Sequence, residues 1–169
     1  NNDVTTNPRA SIVVNDGRHH LYATKKRYDV IVADLFVPSE SHTGYLYTTE
    51  HYAVSRQRLK KGGLFCQWVP LWQLGEQELR LIADSFAAVF PHVTIWYGKD
   101  DEHWTTLGFV GSEEPITLRA TELAHRLALA PPKLDGDKSW FKSPDELWAQ
   151  YAGDWRRIPG ATLNTDERP

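Results

Sequence analysis

The chain has 169 residues, of which 41% are hydrophobic and 24% charged, which suits one ordinary domain with a packed core and argues against disorder. A formal charge of −3 makes no electrostatic case for nucleic acid, and no run approaches the roughly 18 apolar residues of a membrane span. A single cysteine, Cys66, excludes a disulfide framework and any cysteine-rich metal site. A reducing, cytoplasmic setting fits, and there is no secretory signal.

Residues 1–6 have neither periodicity nor a targeting pattern, and read as a loop exposed by truncation of a longer protein. SIVV at 11–14 reads as a strand ended by Asn15, Asp16 and Gly17. A helix follows from about Arg18 to Thr24, and then YDVIVA at 28–33. Val30, Ile31 and Val32 form the unbroken β-branched run of a strand buried on both faces of a parallel sheet. Strand, helix and strand make a βαβ unit, which places Asp16 and Asp34 at one carboxyl edge, where open α/β sheets hold their ligands. Each acid also has a plainer reading, Asp34 as a cap of the next turn and Asp16 as a turn residue.

Residues 35–47 contain Pro38 and Gly44 and read as a long loop over that edge, with Tyr45 and Tyr47 available either to stack on a ligand or to pack beneath it. Thr48 or Thr49 can cap a helix to about Leu59, with Lys60 and Lys61 complementing its end and Gly62 and Gly63 stopping it. LFCQWV at 64–69 is the next strand, closed by Pro70. Gln67 interrupts its apolar run, so the amide either bonds locally or faces a ligand. Leu79, Ile82, Ala83, Phe86, Ala87 and Phe90 form a single helical face ended by Pro91. Residues 93–97 and 104–110 should pair as an antiparallel hairpin.

The chain divides into an α/β part, 1–112, and a helical extension, 113–169. Within the extension, 118–130 reads as one helix, and Ser143, Pro144 and Glu146 start another that runs to about Tyr151 and stops near Gly153. There is no glycine-rich phosphate loop, no metal-ligand spacing among the scattered histidines, and no assignable Ser-His-Asp set. What remains is acid-edge chemistry: Asp16, Asp34 and Gln67 under a tyrosine-bearing loop.

The stretches PRASIVVNDGRHHL, RYDVIVADLFVP, GYLYTTEHY and LKKGGLFCQWVPLWQL together resemble the second half of the catalytic domain of the spermidine synthases, or polyamine aminopropyltransferases. The closing LNTDERP resembles the end of bacterial members whose enzyme domain follows a membrane-embedded portion. The resemblance implies an α/β, methyltransferase-type Rossmann sheet, here partial and lacking its first strands, with helices on both faces. In that sheet 11–14 is the third strand, 28–33 is the fourth, and the seventh lies between the fifth and sixth. The implied activity is aminopropyl transfer from decarboxylated S-adenosylmethionine, a co-substrate, to a polyamine acceptor, with no metal and no covalently bound cofactor.

By resemblance, Asp34 is the catalytic carboxylate and Asp16 holds the nucleoside; Gly17 beside Asp16 is a further nucleoside-binding candidate, and Tyr47 and Gln67 are the substrate-binding candidates. Two departures stand out. Val37 occupies the place of the family's second aspartate, which holds the acceptor amine. The glycine-rich first strand-loop and its following acid have no counterpart, so the chain by itself is expected to be inactive. Two open sheet edges would then be satisfied by direct pairing of 11–14 with 28–33, or by a strand-exchanged homo-oligomer. The competing readings are an S-adenosylmethionine-dependent methyltransferase-like enzyme and a catalytically silent interaction domain.

Overall fold

The computed structural model describes residues 6–34, 42–98, 105–129, 141 and 143–169. The expectations for 35–41, including Val37 and the first half of the loop over the sheet edge, lie outside the described residues. So do those for 99–104 and 130–140.

Helix α1, Gly17–Ala23, begins at Asp16, whose side chain accepts the His19 N–H. It leads into strand β1, Tyr28–Ala33. A 3₁₀ turn, Gly44–Tyr47, precedes helix α2, Thr49–Gln57, which Thr48 caps through its hydroxyl. Strand β2, Leu59–Pro70, follows with a single residue between. After a second 3₁₀ turn, Leu71–Gln73, come helix α3, Glu76–Val89, and strands β3, His92–Tyr97, and β4, Thr106–Ser112. Helices α4, Ala120–Leu129, and α5, Pro144–Trp148, then lead to strand β5, Tyr151–Asp154.

The five strands form one sheet in the order β1-β2-β4-β3-β5. β1 and β2 are parallel, whereas β4 runs antiparallel to both β2 and β3. The later hairpin strand therefore inserts between β2 and β3, as the seventh strand does between fifth and sixth in a methyltransferase-type sheet. The α/β fold expected from the sequence is the one observed.

Three local expectations fail. Residues 11–14 form no strand, and β1 pairs with β2 alone among the described strands. An extended segment without a hydrogen-bonding partner is not held as a strand, and Val14 is 98% exposed. The supposed βαβ unit is thus only helix and strand, and 11–14 does not close onto β1.

The second failure concerns residues 59–63. Gly62 and Gly63 do not stop α2, because Leu59 already pairs with Tyr28 and the register then jumps to Val30 opposite Leu64. The intervening residues bulge. Gly62 takes a φ of 72°, open to glycine at little cost, and a Cβ on Gly63 would lie 3.0–3.1 Å from three carbonyl oxygens. Lys60 reaches across to Asp29 at 2.8 Å instead of the helix end.

The third concerns the tail, which is not purely helical. α5 ends at Trp148, and β5 adds to the sheet beside β3. Trp96, Trp148 and Tyr151 pack with ring centroids 5.1–5.9 Å apart, so aromatic packing holds the chain onto the sheet where local capping signals suggested a longer helix.

The core lies between one sheet face and helices α2 and α3. Phe65 and Phe109 from the sheet meet Tyr52, Phe86 and Phe90, with Phe65 stacked on Phe90 at 5.7 Å and 8°. Alternation along the strands sends Val30 and Val32 to the opposite face, where they are 54% and 59% exposed. On that face α5 meets the sheet through Trp148 on Trp96.

Candidate active site

β1 and β2 end on the same edge because they are parallel. Ala33 is in register with Gln67, so Asp34, the next residue and an exposed one, stands just beyond the last pair of the ladder. Gln67 is fully buried. Its Nε2 donates to the Trp68 carbonyl at 3.1 Å, whereas its Oε1 has no partner among the described residues. The local bond expected of Gln67 is thus made by one half of the amide, and the other half is left over.

Tyr47 ends the 3₁₀ turn and is buried within the hydrophobic core cluster. Asp16 is exposed, and the His19 N–H at 2.8 Å is the chief reason its carboxyl titrates below the usual range. Gly17 opens α1, and a Cβ there would meet nothing within 4 Å, so packing among the described residues does not require glycine. Asp34 and Gln67 are brought together by register. Asp16 and Gly17 belong to a separate element at the start of α1.

A second group of residues was not assigned a role from the sequence. Arg18 pairs with Asp166 and donates to the Tyr45 carbonyl at 2.7 Å. Thr48 donates to Asp166 at 2.7 Å, and the Asp166 N–H reaches Glu50 at 3.1 Å. Asn164 receives the Thr49 N–H at its carbonyl, gives its own N–H to Ser85 at 2.7 Å, and donates Nδ2 to the Gly44 carbonyl. Residues 164–166 thereby tie α1, the turn holding Tyr45 and Tyr47, α2 and α3 together at the site edge. The signal available in the sequence was an aperiodic polar N-T-D after a glycine, but pairing over 148 positions is invisible without the fold.

Asp166→Ala is expected to lower stability by about 2 kcal/mol, since it removes the counter-ion of the half-buried Arg18, which keeps only neutral partners at Tyr45 and Tyr22. Urea denaturation measures this. A loss under about 0.5 kcal/mol would make the pair an ordinary solvated one.

His51 sits beside this cluster, buried among Tyr52 and Phe65. Burial, reinforced by the Arg18 charge, lowers its pKa to about 4. The ring is therefore neutral at pH 7. Because the folded pKa is below the unfolded value of about 6.5, the unfolded chain binds the extra proton first. The His51 contribution is then fully present above pH 6.5 and is lost as pH falls toward 4. Urea denaturation across that range should show His51→Phe with a shallower pH dependence than wild type, by about one proton. Parallel profiles would exclude His51 as the source.

Among the described residues, no group of three or more His, Cys, Asp or Glu could hold a metal, and no helix is long and apolar enough to cross a membrane. The spermine/spermidine synthase domain is matched over residues 1–97, more than half of the chain. The chain belongs to the spermine/spermidine synthase family. It is 30% identical over 93 residues to the polyamine aminopropyltransferase of Thermotoga neapolitana, covering 54% of this chain and 31% of that protein. The Aeropyrum pernix polyamine aminopropyltransferase is 27% identical over 142 residues, covering 80% of this chain and 40% of that one.

The crystal structure of spermidine synthase from Thermotoga maritima superposes with a TM-score of 0.66 at 20% identity, covering 88% of this chain and 48% of that chain. A spermidine synthase in complex with the transition-state analogue AdoDATO gives 0.69 at 20% identity, over 88% and 49%. These likenesses establish the fold. The chain spans about a third to a half of the length of these relatives.

Proposed function

We propose that this chain carries the acid edge of an aminopropyl-transfer site, moving the aminopropyl group of decarboxylated S-adenosylmethionine to an amine acceptor. The observation that carries the reading is Asp34, one residue past the Ala33–Gln67 register pair at the carboxyl end of β1, in a chain of this family.

The chemistry requires such a group. An acceptor amine arrives as an ammonium without a lone pair. Asp34 takes one proton, and the freed pair forms the new C–N bond at the methylene beside the sulfonium. The C–S bond breaks as it forms, its electrons pass to sulfur, and methylthioadenosine leaves. Asp16, whose carboxylate accepts the His19 N–H, also accepts from the nucleoside's amino group, with Gly17 beside it. Gln67 offers its spare Oε1 on the acceptor side, and Tyr47 shapes the turn there.

Val37 in place of the family's second aspartate favours an acceptor other than putrescine. It also supports a second reading, methyl transfer from S-adenosylmethionine to another substrate. Calorimetric titration of the protein as encoded, with decarboxylated and ordinary S-adenosylmethionine, tests both. Tight binding of the decarboxylated form with release of methylthioadenosine on adding an amine supports aminopropyl transfer. Preference for the ordinary form supports methyl transfer, and binding of neither overturns both readings.

A further inference from the structure

A cavity of about 500 Å³ opens between the turn Gly44–Tyr47, the chain leaving β2 and the first turns of α3. Its volume falls within the range of small-molecule sites. Leu74, Leu81 and Ile82 give it an apolar wall, Tyr47, Gln73, Glu78 and Asn164 supply its polar side chains, and Pro169 closes one side.

Asn164 is 4% exposed, and its Oδ1 has no partner among the described residues. Its Nδ2 is committed to the Gly44 carbonyl, which fixes the amide with the oxygen as the spare group. Glu78 has no ion pair among the described residues, whereas its neighbour Glu76 is held by Arg80 at 2.9 Å. No lysine or arginine lines the cavity. An anion would face a carboxylate there with no counter-charge, and a neutral apolar ligand would leave both oxygen groups without donors. An aliphatic ammonium satisfies both, with its methylenes on the leucine and isoleucine wall and its N–H groups on the oxygens. The two acids in the first turn of α3 offset the partial positive charge of that helix end, which would otherwise oppose a cation.

We propose that this cavity receives an ammonium end of the acceptor amine, with Glu78 as its counter-ion. The proposal rests on the reading of the chain as part of an aminopropyltransferase. It gives the site a negative group for the acceptor although position 37 is valine.

The test uses the protein as encoded, with 1,4-diaminobutane and longer linear amines as probes. Glu78→Gln removes the charge with nearly the same size and helix propensity, so folding is retained. It should raise the KM of the amine about tenfold, leave methylthioadenosine affinity unchanged, and be partly rescued by Glu78→Asp. Leu81→Trp, which fills the cavity, should raise the same KM. If wild type transfers to an amine and neither variant changes its KM, the cavity assignment is overturned while the reading of function stands. If wild type transfers to no amine, that reading fails, and calorimetry with the amines alone decides the cavity. Binding lost in Glu78→Gln supports it, and no binding overturns it.

Discussion

Asp34→Asn is expected to cut transfer by about 10²- to 10⁴-fold while leaving methylthioadenosine affinity nearly intact. The amide keeps the size of the carboxylate but cannot take the proton of the acceptor ammonium. Backbone effects should be small, because Asp34 lies beyond the last ladder pair and is exposed. Single-turnover rates against pH separate proton removal from general damage. A positioning role would lower the rate equally at all pH values, whereas loss of a base lets the rate recover as pH rises and free amine accumulates. Turnover within a few-fold of wild type at neutral pH would remove Asp34 from the chemistry.

Phe65→Ala should destabilise the fold by about 3–5 kcal/mol, the usual range for truncating a buried phenylalanine. Phe65 is fully buried at the middle of β2, and its ring meets His51, Tyr52, Phe86 and Phe90 at centroid distances of 5.7–6.2 Å. Both helices on the core side press on it, and the sheet gives it no way to move. Gly111, opposite Phe65 on β4, shows how closely the layers approach. A Cβ there would come within 2.5–2.7 Å of the Phe86 and Phe90 rings. A hole left by Phe65 therefore has no nearby side chain able to fill it without shifting two helices. Since domains commonly have only about 5–15 kcal/mol to lose, the variant should melt roughly 10 °C lower or fail to accumulate. Chemical denaturation gives the value directly. A loss below about 1 kcal/mol would mean that the phenylalanine cluster repacks, contrary to its close packing.

Much of the fold could be read from local pattern. The single apolar face of 79–90 carries a helical period, and the β-branched run at 30–32 favours a strand, although the burial expected on both its faces fails, since Val30 and Val32 are about half exposed. Thr48, Ser143 and Asp16 cap the helices they precede, because a short polar side chain before a helix can meet an otherwise orphaned N–H. The residue types of the acid edge were also legible. A carboxylate at the end of an apolar parallel strand and an amide within another apolar strand are exceptions to pattern, and exceptions draw attention.

Other features depended on partners far away in the chain. The glycines at 62 and 63 look like a helix stop by themselves; only pairing of Leu59 with Tyr28 turns them into a bulge. The segment 11–14 has the composition of a strand, yet composition does not supply a hydrogen-bonding neighbour. Gly153 ends nothing helical, and instead takes a φ of 135° in a strand recruited by Trp96 and Trp148. The sequence by itself determined where the chain would be helical or extended over its strongly periodic stretches, and which residue types could carry acid chemistry. Tertiary structure decided the strand order, the fate of each glycine, the burial of His51 and the union of Arg18 with Asp166. Periodicity and capping act over a turn or two of chain, whereas register, burial and ion pairing are set by whichever distant segment packs alongside.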